Sequence, residues 1–329
     1  MLHSQYRECV IRVDALGRLS RADRVMKAGE HLVVAVAQLA EHVGHVPYES
    51  PLLNRVESMA ISSVGRLAVR SADAVVVLNR KVGAEIDALR PREPVLVLPN
   101  GVDTTLFRPP LDGEREALRR ELGWDDTPRV LFVGRLVAKK GIEAALAATA
   151  AAGGAFRLVV AGPGPLQPQG VPGVDVLGPI PSERVADLNR AADALLMPSR
   201  GEGFPVAVQE AMSSGLPVVM TDDPGYTTHL NGDAHGVRFV PAAPEAIAAE
   251  LTALVSDREA WAEAGAAVRR HARQAFSWAQ AAERHELLYE ELLAERRGPA
   301  EVAGGRSQVA EPSSNGDQAT TASERGAMP

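Results

Sequence analysis

Cysteine is almost absent from this chain of 329 residues, because Cys9 is the only one. One cysteine excludes an internal disulfide framework and a cysteine metal cluster, and it suits a reducing compartment. Aromatic residues make up only 4% of the chain, so its cores must depend mainly on alanine, valine and leucine. Excess positive charge is also absent. The net charge of −7 argues against non-specific nucleic-acid binding.

The chain also lacks a long apolar run. Its longest apolar stretch, Leu32 to Ala40, is interrupted by Gln38 and has the length of a buried strand. A membrane-spanning helix needs about 20 apolar residues. The first residues, MLHSQYRECVIRVD, contain no apolar segment of the kind that a secretory signal carries. We therefore expect a cytoplasmic protein.

What the chain does have is a hydrophobic fraction of 46%, enough for two domains. Short apolar runs alternate with segments of helical spacing from residue 32 onward, which predicts an α/β fold with parallel sheets covered on both faces. The predicted strands are HLVVAVAQLAEHVG, ADAVVVLN, PVLVLPNG, RVLFVG, FRLVVAG, VDVLG, DALLMPS, LPVVMT and HGVRFV. The predicted helices are residues 51–70, KVGAEIDAL, KGIEAALAATAAA, SERVADLNRA, PVAVQEAMSSG and residues 244–255, 257–275 and 278–295, with a charged helix within 101–128.

The domain boundary is predicted near the proline pair Pro109–Pro110. Residues 1–108 then form an N-terminal domain and residues 109–277 a C-terminal domain. Residues 297–329 are rich in Gly, Ser, Pro, Glu and Gln, and we expect this tail to be disordered.

The first motif that carries chemistry is VGRLVAKKG, residues 133–141. A strand ends at Gly134, and Arg135 and Lys140 lie in the loop before the next helix. Ligands of such sheets bind at the carboxyl ends of the strands. A guanidinium fork and an ammonium group together suit a diphosphate, although two solvated loop cations would give the same pattern.

The second motif is RGEGFPVAVQEAMSSGLPVV, residues 200–219. Glu202 precedes the predicted helix, Phe204 and Pro205 open it, and Glu210 lies inside it. The free N–H groups and the dipole of that first turn favour an anion. Carboxylates beside an anion site suit neutral sugar and ribose hydroxyls. The alternative is a capping Glu202 and a surface Glu210.

Three other patterns are weaker. The string AGPGPL, which includes Gly162, could approach a ligand through its backbone, but a plain turn is the simpler interpretation. Asn100–Gly101 marks a turn that closes a domain. His42 and His45 could hydrogen-bond a sugar or diphosphate, or could lie inertly in a core. A metal pair lacks a third ligand, so we expect no metal site.

In combination, these strings resemble the retaining glycosyltransferases of family four. The resemblance covers about residues 33–293 and rests on PNGVD, on GR followed by Lys-Gly, on AGPG, on EGFP with its second glutamate in QEAM, and on SGLPVV. It implies the GT-B architecture, in which two Rossmann-like domains face a cleft. It also implies that the final helix, residues 278–295, crosses back to the N-terminal domain.

The resemblance assigns roles residue by residue. Arg135 and Lys140 would neutralise the leaving diphosphate, Glu202 would contact the donor sugar, and Glu210 would hold the ribose. His42 would lie on the acceptor side of the cleft. The other implied donor contacts are Gly134, Gly162, the backbone from Gly203 through Phe204 to Pro205, and the base-lining stretch from Val176 to Ile180. No metal or other cofactor is implied.

Two departures from the family pattern matter. Compared with the family pattern, the N-terminal domain is expected to be incomplete, with at least one βαβ unit of about 30 residues and its Gly-Gly loop missing. After VVMT the sequence reads DDPGYTTH, and Thr228 stands where the family has a glutamate. The first departure leaves open a nucleotide-sugar-binding protein without catalysis. A sugar-nucleotide epimerase or a phosphorylase of the same fold fits the EGFP and QEAM strings less well.

The implied function is transfer of a sugar, with retention of configuration, from a UDP- or GDP-sugar to a lipid, polysaccharide or small-molecule hydroxyl, in cell-envelope or polysaccharide biosynthesis. No nucleic-acid partner is expected. Arg66, Arg70, Arg80 and Lys81 could give weak contact with an anionic membrane on its cytoplasmic face, although solvated helix faces explain them better.

Overall fold

The computed structural model describes residues 34–36, 66–200, 204–223, 225–226, 229–230 and 236–297. Its N-terminal part is a sheet of three parallel strands in the order β1–β2–β3. The elements are β1 (Val34–Val36), α1 (Arg66–Ser71), β2 (Ala74–Val77), α2 (Arg80–Asp87) and β3 (Val95–Val97). All four residues of β2 are buried, as expected for the central strand of a covered sheet.

The C-terminal part is a six-stranded parallel sheet with helices on both faces. Its elements in chain order are α3 (Glu114–Glu121), β4 (Arg129–Val133), α4 (Ile142–Ala151), β5 (Arg157–Ala161), β6 (Val174–Gly178), α5 (Ser182–Ala191), β7 (Ala194–Met197), α6 (Val206–Ser213), β8 (Val218–Thr221), β9 (Val237–Val240), α7 (Pro244–Ser256), α8 (Arg258–Ala275) and α9 (Trp278–Arg297). A short 3₁₀ turn, Ala138–Lys140, precedes α4.

The strand order of this sheet is β6–β5–β4–β7–β8–β9. The chain therefore starts in the middle at β4, proceeds outward through β5 and β6, and returns to build β7, β8 and β9 on the other side. Such an order has a topological switch point between β4 and β7, where the following loops diverge and leave a crevice. The crevice lies at the carboxyl ends of the strands, which is where ligands bind in open α/β sheets.

Two apolar cores cover the two faces of the large sheet. One contains side chains of β4, β5, β7 and β8 together with α5, α6 and α8, and the other packs the sheet against α4 and α7. Alanines take a large share of both cores, in keeping with the low aromatic content of the chain. These cores fix the ends of β4 and β7, and hence the loops that follow them.

The last helix contacts the N-terminal sheet. Leu288 of α9 packs with Ala74 and Val76 of β2. At the start of that helix, Val102 N–H donates to Phe276 O at 2.7 Å, and Trp278 N–H donates to Val102 O at 3.2 Å. Gly101 lies so close to Trp278 that an added Cβ would come within 2.6 Å of the indole ring. The predicted turn at Asn100–Gly101 is therefore a close crossing of the chain over α9.

The α/β class and the strand–helix alternation are confirmed from β2 to α9, with α9 ending at Arg297, beyond the predicted end of that helix. Of the first predicted strand and helix, the described parts are Val34–Val36 and Arg66–Ser71. Residues 298–329 lie outside the described residues, and the domain limits stay a prediction. Among the helices that the structure describes, none combines the length and apolar character of a membrane span.

Candidate functional site

The candidate site lies at the switch point, between the loops that follow β4 and β7. The first loop begins at Gly134, which has a φ of +154°. No atom lies within 4 Å of the position that a Cβ would take there. Leu136 is fully buried and anchors the loop, while Arg135 beside it is exposed. Lys140 is half-buried at the end of the 3₁₀ turn. The fold thus brings both predicted cations to one loop at the crevice.

The glycine loop after β5 supports this first loop. Gly134 N–H donates to Ala161 O at 3.0 Å, and Leu136 N–H donates to Pro163 O at 2.8 Å. A Cβ on Gly162 would come within 1.9 Å of Gly134 O, and one on Gly164 within 2.4 Å of Leu136 O. Both glycines therefore serve backbone-to-backbone packing. That contact accounts for the glycine at position 162 without a ligand, so donor binding by Gly162 stays a prediction.

The loop after β7 is joined to the loop after β4. A Cβ on Gly141 would lie 2.3 Å from Pro198 O, so the start of α4 touches the end of β7 directly. Arg200 N–H donates to Lys139 O at 3.3 Å. These contacts fix the two loops relative to each other immediately before Glu202. Glu202 and Gly203 lie outside the described residues, and their predicted contacts with the donor sugar stay predictions.

Helix α6 begins one residue later than the sequence suggested. Pro205 is the N-cap, with φ −62° and ψ 128°, rather than the first helical residue. Val208 N–H and Gln209 N–H both point back to Pro205 O, at 3.1 and 3.4 Å. Proline has no N–H, so the donors free of the helix ladder are those of Val206 and Ala207. An anion at this helix start would bind there.

Phe204 has a core role that the sequence did not reveal. Its side chain is 3% exposed and lies 5.1 Å from the ring of His229 and 5.0 Å from that of Phe276, centroid to centroid. The ring anchors the start of α6 to α8. Any contact of Phe204 with a donor would therefore involve its backbone only.

Glu210 lies on α6 in a strongly desolvating position. Burial raises the pKa of its carboxyl to about 8. At neutral pH the group is therefore largely protonated. A protonated carboxyl can both donate and accept a hydrogen bond, which suits a vicinal diol such as a ribose. The same group would be repelled less by a neighbouring diphosphate than a carboxylate would.

The raised pKa of Glu210 predicts a pH-dependent stability. Between pH 4.5 and about 8 the folded state keeps a proton that the unfolded chain has released, so stability falls as pH rises through this window. The Gln side chain of Glu210→Gln stays neutral at all pH values. We therefore expect the free energy of unfolding of this variant, relative to that of the wild type, to rise by up to about 1.4 kcal/mol per pH unit. Thermal unfolding of both proteins at pH 5, 6.5 and 8 measures this.

The melting temperature of Glu210→Gln minus that of the wild type should rise from pH 5 to pH 8. Any constant cost of the Gln amide appears equally at all three pH values and cancels in the comparison. A melting-temperature difference that does not change from pH 5 to pH 8 would contradict the shifted pKa of Glu210.

The expected base-lining residues lie in and just after β6, the edge strand that β5 separates from β4. Val176 is half-buried in the edge strand β6, and Ile180 packs partly against the main core at the loop leading to α5. Gly162 N–H donates to Gly178 O at 2.8 Å, so this loop is joined to the end of β5. The position is compatible with a base, and the contact stays a prediction.

Sequence reasoning missed a set of polar contacts behind the loop after β7. The Tyr226 hydroxyl, fully buried, lies 3.0 Å from Ser199 Oγ, and Thr221 Oγ1 donates to Ser199 O at 2.7 Å. Lys81 Nζ lies 3.3 Å from an oxygen of Asp223, across the two parts of the protein. The string DDPGYTTH, noted above only as a departure, was the available signal for Asp223 and Tyr226.

The acceptor side is less defined. His42 and His45 lie outside the described residues, so the cleft role of His42 stays a prediction. Within the described ranges, no three His, Cys, Asp or Glu side chains converge in a way that could hold a metal ion. Lys81 pairs with Asp223, and the other members of the basic set, Arg66, Arg70 and Arg80, are exposed.

These features define a class of protein: an α/β molecule whose C-terminal domain has two loop cations, the start of a helix and a desolvated glutamate on that helix around one switch point. The model of the family described as "Glycosyl transferases group 1" matches residues 114–271. The chain belongs to this family.

Two curated relatives illustrate the likeness. D-inositol 3-phosphate glycosyltransferase of Xylanimonas cellulosilytica is 32% identical over 273 residues, covering 77% of this chain and 63% of the relative. Alpha-maltose-1-phosphate synthase of Mycolicibacterium smegmatis is 30% identical over 259 residues, covering 71% of this chain and 67% of the relative. The chain thus spans a little under two thirds of the length of the first of these relatives.

Solved structures agree on the GT-B fold. Sucrose-phosphate synthase of Thermosynechococcus elongatus has a TM-score of 0.66 at 24% identity, over 80% of this chain and 68% of that one. Anabaena HepE, crystallised with UDP and glucose, has a TM-score of 0.65 at 18% identity, over 79% of this chain and 72% of that one. The GT-B architecture expected from the sequence is confirmed.

Proposed function

We propose that this protein transfers a sugar from a nucleoside-diphosphate sugar to a hydroxyl acceptor. The observation that carries the proposal is the arrangement at the switch point. Arg135 and Lys140 are on one loop, and Glu210 stands on the helix that starts beside it. Cations for a diphosphate and a neutral carboxyl for a ribose are the two recognition elements that such a donor needs.

The catalytic contribution of these groups is electrostatic. Departure of the diphosphate develops negative charge, and fixed cations with the Val206 and Ala207 N–H groups stabilise that charge more in the transition state than in the ground state. Glu202 would hold the donor sugar near its reacting carbon. Retention of configuration follows the family resemblance, with the departing phosphate oxygen assisting the acceptor, and no metal is required in this scheme.

The relatives indicate classes of donor and acceptor. The names of the two curated relatives place phosphorylated small molecules among their substrates or products, and HepE was crystallised with UDP-glucose. We propose a UDP- or GDP-sugar donor and a small-molecule, lipid or polysaccharide hydroxyl acceptor. Weak contact with an anionic membrane through Arg66, Arg70, Arg80 and Lys81 belongs to the same proposal.

The test is nucleotide release from a panel of UDP- and GDP-sugars, with candidate acceptors that include inositol phosphate. We expect one donor to be turned over by the wild type, and Glu202→Ala to lower kcat by about a hundredfold or more because donor-sugar contacts near the reacting carbon are lost. The anomeric configuration of the product, read by NMR, reports retention.

Two outcomes would contradict this assignment. Turnover that is indifferent to Glu202→Ala would remove the assigned donor site. Nucleotide binding without turnover on any donor and acceptor would instead support the second candidate, a nucleotide-sugar-binding protein without catalysis. Calorimetric titration with UDP and GDP separates that case from a protein that binds neither.

A further inference from the structure

The described residues of the 222–230 segment, which follows β8, contact both parts of the protein. At one end, Asp223 pairs with Lys81 in the first turn of α2, at 3.3 Å. At the other, Tyr226 contacts Ser199 in the loop after β7. We propose that this segment positions the donor loop relative to the N-terminal domain, with Tyr226 as the positioning residue. The inference rests on the proposed function and deepens it.

The hydroxyl of Tyr226 carries the contact with the donor loop. The side chain is fully buried, and its oxygen lies 3.0 Å from Ser199 Oγ and 3.2 Å from Ser199 O. A phenylalanine would fill the same volume, so what the hydroxyl adds is a pair of hydrogen bonds. In a buried setting such bonds specify one geometry, because a shifted loop would leave the polar atoms unpaired.

Ser199 is the point where the two loops of the site meet. Its neighbour Pro198 touches Gly141, and its neighbour Arg200 donates from its N–H to Lys139 O. Ser199 O also accepts from Thr221 Oγ1 at 2.7 Å. A displacement of Ser199 is therefore passed to the loop that carries Lys140. Tyr226 thus acts on the donor through Ser199 and its neighbours, as a positioning residue.

The 222–230 segment is internally braced. Asp223 accepts from Gly225 N–H at 2.8 Å through its side chain and from Tyr226 N–H at 2.9 Å through its backbone. Tyr226 O in turn accepts from the N–H groups of His229 and Leu230, both at 3.1 Å. These hydrogen bonds make the described part of the segment a compact unit. A displacement of Asp223 should therefore also displace Tyr226.

Two contacts attach this unit to the N-terminal domain. Lys81 approaches both oxygens of the largely buried Asp223, at 3.3 and 3.5 Å. His229 Nε2–H donates to Leu78 O at the end of β2. Burial lowers the pKa of His229 and so favours the neutral ring, and its contact with a carbonyl oxygen requires the proton on Nε2. The N-terminal domain therefore contacts the same unit that holds the donor loop.

The test measures kcat and KM for the donor in Tyr226→Phe, Lys81→Met and the double variant. We expect Tyr226→Phe to lower kcat/KM on the order of tenfold, below the hundredfold that a 1 Å misplacement can cost. Lys81→Met should lower it several-fold. The double variant should be less impaired than the product of the two, because both changes loosen one unit.

The matched control is Ser213→Ala. Ser213 is fully buried, and its hydroxyl donates to Phe107 O at 2.6 Å at the far end of α6. This variant loses a comparable buried hydrogen bond but should keep the wild-type kcat/KM. Lys81→Arg, which can retain the pair with Asp223, should restore most of the activity lost in Lys81→Met.

The inference is overturned if Tyr226→Phe matches Ser213→Ala in kcat/KM, or if the double variant shows the full product of the single losses. A wild type that binds UDP or GDP without turnover would contradict the proposed function alone. Nucleotide affinity in the same variants would then test the positioning role. A wild type that neither binds nor turns over these nucleotides would overturn both.

Discussion

Replacing Lys140 by alanine is expected to lower kcat/KM for the nucleotide-sugar donor by about 10²–10³-fold. Lys140 is half-buried at the end of the 3₁₀ turn that closes the loop after β4, next to the crevice. An ammonium held there meets the charge that develops on the departing diphosphate. Because that charge is largest in the transition state, the loss should appear mainly in kcat.

The neighbouring Lys139 supplies the control for this prediction. It carries the same charge one position away, but its side chain is exposed. Lys139→Ala therefore reproduces the change in net charge and in long-range attraction without removing a group from the crevice. Steady-state kinetics at low and at high salt separate the two effects, since only long-range attraction is screened by salt. Equal losses in the two variants would contradict the assigned role of Lys140.

The fold was largely readable from local patterns. The strings RVLFVG and DALLMPS are near-continuous apolar runs between helical segments, and both form central strands of the parallel sheet. Each of these patterns spans only a few consecutive residues, so a single sequence is enough to recognise it. The position of Arg135 and Lys140 at the carboxyl end of β4 follows directly from that alternation.

Other features depend on contacts between distant residues. Lys81 and Asp223 are 142 positions apart, and nothing in either local sequence indicates the pair. The role of Tyr226 requires knowing that β7 and β8 are neighbours, which the sequence leaves open. Pro205 was misplaced by one residue because the choice between cap and first turn depends on the ψ angle that the preceding loop imposes.

The raised pKa of Glu210 also depends on contacts between distant residues. The spacing from Glu202 marked this residue as a ribose ligand only through resemblance, and a surface carboxylate was an equal alternative. What weighs against that alternative is desolvation of the half-buried carboxyl, which raises its pKa to about 8. Desolvation is a property of the assembled domain and has no local sequence signal.

The second large effect is expected for Gly162→Ala. Gly162 has a φ of +144°, and an added Cβ would lie 1.9 Å from Gly134 O and 2.8 Å from Gly134 C. Gly162 cannot move away from Gly134 without breaking the hydrogen bond from its own N–H to Gly178 O, which is 2.8 Å long. Both neighbours are backbone, so relief requires the loops after β4 and β5 to separate. We expect a loss of about 3 kcal/mol or more in the free energy of unfolding.

Separation of the loops after β4 and β5 should also change the donor site. Gly134 is the contact partner of Gly162 and directly precedes Arg135, so the loop that carries the cations must move. Nucleotide affinity, measured by calorimetric titration with the proposed donor's nucleotide, should fall together with the melting temperature. A drop on the order of 10 °C corresponds to this loss in a domain of 150–250 residues.

Gly154→Ala separates the clash from the backbone strain. Gly154 also has a positive φ, +94°, but nothing lies within 4 Å of an added Cβ. Its substitution should cost about 1–2 kcal/mol, as expected for an L-residue in this region, and should leave nucleotide affinity unchanged. If Gly162→Ala is no worse than Gly154→Ala in either measurement, the two loops are not held by direct backbone contact. The support proposed here for Arg135 and Lys140 would then have to come from α4 alone.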